Sequence, residues 1–78
     1  MSGRNRWIRL PVPISDVFED GVILDAKSAS YLLPGARIKI GNKTTSVTKM
    51  ASHGSNYFIG ISNAAQYMRG AAVYVENN

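Results

Sequence analysis

Apolar and polar residues alternate in short runs along most of this chain, and turn residues cut the runs at close intervals. The runs are rich in Val, Ile, Tyr and Thr, which fit a pleated, half-buried surface, so the pattern predicts β-strands. The clearest is Ala36 to Ile40, with Ile38 and Ile40 on one face and Arg37 and Lys39 on the other. Gly41-Asn42 supplies a two-residue hairpin turn, and Lys43 to Met50 returns with Thr45, Val47 and Lys49 opposed to Thr44, Ser46, Thr48 and Met50. A turn over His53-Gly54-Ser55-Asn56 leads into a strand from Tyr57 to Ser62, where Tyr57, Ile59 and Ile61 share one face and Phe58 and Gly60 the other. Gly60 there marks a bulge or a close backbone approach. Ala71 to Val75 is the last strand, with Val73 and Val75 inward.

Other segments are less regular. Trp7 to Val12 alternates Ile8, Leu10 and Val12 with Trp7, Arg9 and Pro11, but Pro11 and Pro13 remove two backbone donors, which suits an edge strand or the exit from one. Ile14 to Phe18 and Val22 to Asp25 flank Asp20-Gly21, a dipeptide suited to a tight hairpin turn; the competing reading is a helical turn begun at Asp16 with Glu19 as its capping partner. Lys27 to Tyr31 reads as a small polar connection before the Leu32-Leu33-Pro34-Gly35 turn. Asn63 to Arg69, capped by Asn63 and stopped by Gly70, is the one helical stretch expected. Five to six short strands with one helical turn near 63–69 predict an all-β fold, a small SH3-like or OB-like barrel or sandwich. Its expected parts are a basic N-terminal arm over 1–9, a single domain over 10–76 and a polar tail over 77–78.

A chain of 78 residues has room for one core, and one core of this size supplies roughly 3–5 kcal/mol, so small scaffolds lean on disulfides, a metal or assembly. Cysteine is absent and His53 is the single histidine, which leaves assembly as the expected staple and no cofactor or metal. No stretch approaches the roughly 18 consecutive apolar residues of a membrane span, and residues 1–6 lead into no signal-peptide apolar run. The expectation is a soluble, untargeted chain without a membrane partner. The net charge is +4, but its distribution says more. Arg4, Arg6 and Arg9 open the sequence; Asp16, Glu19, Asp20 and Asp25 follow without a base between them; Lys27, Arg37, Lys39, Lys43, Lys49 and Arg69 then run without an acid until Glu76.

Catalytic patterns are weak. His53 lies between serines in a turn, without the separate carboxylate and oxyanion donors that nucleophilic chemistry needs. The four acids match no calcium loop, and the glycines form no phosphate-cradling cluster before a helix. The expectation is a protein that is not an enzyme. Two surfaces are candidates for binding. Arg4, Arg6, Trp7 and Arg9 form a basic arm with one large apolar anchor, suited to docking on a neighbouring protein surface. Arg37, Lys39, Lys43 and Lys49 form a basic face able to meet phosphates, with Tyr57, Phe58 or Tyr74 as a stacking surface.

The run from Leu32 to Lys49, then Tyr57-Phe58-Ile59-Gly60-Ile61, Asn63-Ala64-Ala65 and Gly70-Ala71-Ala72-Val73-Tyr74-Val75, resembles small β-barrel modules of tailed-bacteriophage virion proteins. The resemblance covers about half the chain and lies at the level of pattern. It implies a multi-copy decoration, cement or head–tail component in the virion, docked on capsid or tail proteins. The alternatives are a nucleic-acid-binding barrel that uses its basic face and, further back, a regulator that binds an acidic protein surface.

Overall fold

A computed structural model describes residues 6–77. The chain forms two four-stranded antiparallel sheets packed face to face. The first contains β1 (Arg6–Arg9), β4 (Arg37–Ile40), β5 (Lys43–Ser46) and β8 (Val73–Asn77), and the second contains β2 (Asp16–Val17), β3 (Gly21–Asp25), β6 (Lys49–His53) and β7 (Asn56–Gly60). Strand order is β1-β8-β4-β5 in the first and β2-β3-β7-β6 in the second. The outermost strands of one sheet continue along the chain into the outermost strands of the other, β1 into β2 and β5 into β6. The eight strands thus amount to six extended segments, two of them bent, around one core. The expected all-β fold with a short helical turn after Asn63 is what this chain adopts.

Alternation explains the core. Ile38, Ile40, Val73 and Val75 project inward from the first sheet, and Val22, Leu24 and Ile59 from the second; all are buried together with Leu10, Ile14, Leu32, Val47, Ile61 and Tyr67. The residues between them on the first sheet, Arg37, Lys39, Tyr74 and Glu76, keep some or most of their surface in solvent.

Each bend has a local cause. At the first, Leu10 N–H donates to Val73 O and Ile14 N–H to Ala71 O, while Val12 N–H donates to Ser28 Oγ at 2.9 Å and Ser28 Oγ–H donates to Val12 O at 2.6 Å. The donors at 10, 12 and 14 are therefore all used, and Pro11 and Pro13 occupy the intervening positions, where a strand turns its N–H groups the other way. Ser28 is fully buried, so its hydroxyl completes the backbone bonding of Val12 inside the fold. At the second bend, Val47 N–H donates to Ala36 O in one sheet and Thr48 N–H to Gly60 O in the other. The Thr48 hydroxyl adds a bond to the same carbonyl at 3.0 Å. A Cβ on Gly60 would lie 2.8 Å from Thr48 Oγ1 and 2.9 Å from Lys49 Cγ, so the close approach at this glycine is made by side chains and not by backbone.

Three local expectations change. The polar connection after Asp25 begins as a helical turn, α1 (Ala26–Ala29), because the Asp25 carboxylate accepts from Lys27 N–H and the small side chains of Ser28 and Ala29 fit under the sheets. Asn63 makes no side-chain cap; it takes the left-handed conformation at φ 55° ahead of a single 3₁₀ turn, Ala64–Gln66. The return strand from Lys43 stops at Ser46 because burial of Val47 carries the chain to the other sheet. Around Asp20 the hairpin reading holds: Asp16 pairs with Ile23 and Val17 with Val22. Asp16 is thus a strand residue and no helix cap.

Replacing Ser28 with Ala strands two backbone groups at the first bend. We expect a loss of about 2 kcal/mol, measured as a lower urea midpoint with an unchanged slope. Gly21 pairs with Gly60, and a Cβ there would lie 2.5 Å from Ile59 O and run into the Phe58 ring. Gly21→Ala is expected to cost about 3 kcal/mol, the upper end for over-packing, in the same measurement; a loss under about 0.5 kcal/mol contradicts the packing described.

Candidate binding face

Register decides which of the charged residues meet. Arg9 pairs with Tyr74 and Trp7 with Glu76 across β1 and β8, and Lys39 pairs with Tyr74 across β4 and β8. Continuing that register by one position sets Glu76 beside Arg37. Thr44 follows beyond Lys39, and Ser46 beyond Arg37. Because side chains on one face recur at every second position, the outer face of the first sheet carries two rows, Arg9-Tyr74-Lys39-Thr44 and Trp7-Glu76-Arg37-Ser46.

Contacts between the rows agree with this. Lys39 Nζ lies 5.1 Å from the centroid of the Trp7 ring and 5.5 Å from that of Tyr74, so one ammonium faces two rings. Arg37 Nε stands 3.8 Å from Glu76 Oε1, a long pairing of one exposed and one largely covered side chain. Such pairs contribute little to stability. The face holds the guanidinium groups of Arg9 and Arg37 and the Lys39 ammonium against the single carboxylate of Glu76, with Trp7 and Tyr74 half-buried between them.

The two groups of candidates read from the sequence are regrouped by this geometry. Trp7 and Arg9 from the expected arm join Arg37 and Lys39 from the expected basic face. Arg6 is on β1 but pairs with Asn77 on the opposite side of the strand; Arg4 falls outside the described residues. The arm is thus no separate element over residues 6–9, because those residues complete the sheet beside β8, and Asn77 is the end of β8 instead of a tail. Lys43 leaves the group because its parity places it with Ile40, at the hairpin end. Lys49 leaves it because the bend at Val47 carries it to the second sheet, where its Nζ lies 5.7 Å from the Phe58 ring. Tyr74 is the stacking candidate that the face keeps; Tyr57 and Phe58 belong to the second sheet.

The other polar candidates are scattered. Asp25 is engaged at the start of α1, and the Asp16 carboxylate accepts from Val17 N–H at 2.9 Å. Asp16 and Glu19 border an open groove of about 590 Å³ with Phe18, Tyr67, Met68 and Arg69. His53 ends β6, its ring centroid 6.0 Å from that of Phe18. Among the described residues no three His, Cys, Asp or Glu side chains gather as metal ligands, and no helix is long and apolar enough to cross a membrane. Comparison with protein-family models, with curated proteins and with solved structures returns no match.

The shared ammonium gives a direct check on the face. Lys39→Met is expected to cost about 0.5–1 kcal/mol through loss of the cation–π contacts and to change the emission of Trp7, the only tryptophan. Lys43→Met is expected to stay within about 0.5 kcal/mol with unchanged emission. Equal behaviour of the two variants contradicts the geometry.

Proposed function

We propose that this protein is a non-enzymatic binding module that docks on an anionic surface of a larger assembly through the outer face of its first sheet. The observation that carries this reading is the convergence of Arg9, Arg37 and Lys39 around Trp7 and Tyr74, residues from three strands brought together only by pairing. The cations supply attraction and orientation, and the half-buried rings supply contact area that holds its shape on binding. The setting proposed is a bacteriophage virion, in which the chain is a multi-copy accessory of the particle; support for that setting is the sequence resemblance. A small domain without crosslinks gains stability from such docking by mass action.

Charge reversal tests the face. Arg9→Glu combined with Lys39→Glu is expected to abolish retention on a heparin matrix near physiological salt, while Asp16→Asn combined with Glu19→Gln leaves retention unchanged. Equal loss in both double variants, or none in the first, sinks the proposed face. For the assembly, the untagged protein from its native source is expected to sediment with large particles. Sedimentation only as a free chain removes the docking role.

A further inference from the structure

We infer that the anionic partner of this face is a single-stranded nucleic acid, two successive bases of which stack on Trp7 and Tyr74 while the intervening backbone meets Lys39 and Arg9. The inference rests on the proposed docking face and deepens it by naming the partner's chemistry. Trp7 and Tyr74 occupy adjacent strands two positions apart in register, since Trp7 pairs with Glu76 and Arg9 with Tyr74. Diagonal neighbours of this kind have their Cα atoms about 7–8 Å apart, close enough for both rings to serve neighbouring bases of one strand. Lys39 Nζ faces both rings, at 5.1 and 5.5 Å. In the free protein the ammonium occupies space over the rings that a base would take, and its flexible stem lets it swing to a phosphate when a base arrives.

An acidic protein surface would satisfy the cations, but it does not set planar groups and charges in the regular alternation that two rings beside two cations would use. A duplex offers phosphates but keeps its bases stacked on one another, and a broad sheet face does not enter its grooves as a helix or ribbon does. A single strand uses both features, because every base has a face to stack and every linkage carries a charge. Glu76 lies beside Arg37 and reduces that residue's share of the charge, so Arg9 and Lys39 carry most of the phosphate contact. The preference expected is for single strands of any sequence, since every base has a face to stack.

Trp7 makes the site its own reporter. Titration of the full chain with an eight-nucleotide oligothymidylate is expected to quench Trp7 fluorescence to saturation, with a heparin fragment of similar charge altering the emission only as far as displacement of the Lys39 ammonium does and without that quench. Tyr74→Leu is expected to weaken oligonucleotide binding by about 5- to 150-fold, the range for losing one stacked base, with unaltered far-ultraviolet circular dichroism. Lys39→Gln, which does not depend on an aromatic substitution being tolerated, is expected to lower the slope of log affinity against log salt by about 0.7.

If heparin and oligothymidylate bind equally and neither quenches Trp7, the nucleic-acid inference fails and the docking face stands. Tighter binding of a duplex, or of a polyglutamate peptide, than of the single strand overturns the inference in favour of that partner. If no polyanion binds, both the inference and the face are lost.

Discussion

The pair of hydrogen bonds between the Ser28 hydroxyl and the backbone of Val12 is the contact on which the closure of this molecule depends. Between β1 and β2 the chain must leave one sheet and enter the other while still covering the core with Leu10 and Ile14. Two prolines make that passage stiff and remove donors that would face away from the sheets. They also leave Val12 as the one residue whose N–H and C=O need a partner where no strand is available. A single buried hydroxyl serves both as acceptor and as donor. It is delivered by α1, a helix of one turn whose position is set in turn by the end of β3. The corner, the helix and the central strand of the second sheet are thus tied at one atom.

The opposite corner works by close approach instead of by a side-chain clamp. Gly60 lets Thr48 come near enough to donate two bonds to one carbonyl, and the neighbouring Gly21 gives the Phe58 ring room to lie across the sheet. These glycines are defined by what presses on them, and neither has the positive φ of Gly41 or Gly54, which shape the hairpin turns. With both corners made, the inward residues of six extended segments share one core, and no crosslink is required to bring the sheets together.

Alternation over 36–40 and 57–61 is a local property, and so are the Gly41-Asn42 and Gly54-Ser55 turns; these were legible from residue types alone. The bend at Val47 was not, because alternation runs through it unbroken and only the burial of Val47 separates the two strands. The turn over Ala26–Ala29 is too short to show a helical period; its signal is Asp25, whose carboxylate caps it. For the proposed binding face, the sequence supplied the residue types but not their company. Trp7 and Arg9 stand at one end of the chain, Arg37 and Lys39 at its middle and Tyr74 near its close. Their meeting depends on β8 lying between β1 and β4, a long-range pairing that no local pattern encodes. Lys43 and Lys49 are as basic as Lys39, so residue type alone groups the three, although strand parity and the bend send the first two elsewhere.

β1 has β8 as its only strand neighbour and sends no fully buried side chain into the core, with Ile8 still 40% exposed. Strands with so little burial open at a lower free energy than the rest of a domain. Half of the aromatic pair therefore rides on a part of the molecule that can loosen while the core stays intact. Were the proposed face to hold a ligand, occupancy and order of that strand would rise together, and warming would erode the grip before it melts the two-sheet core.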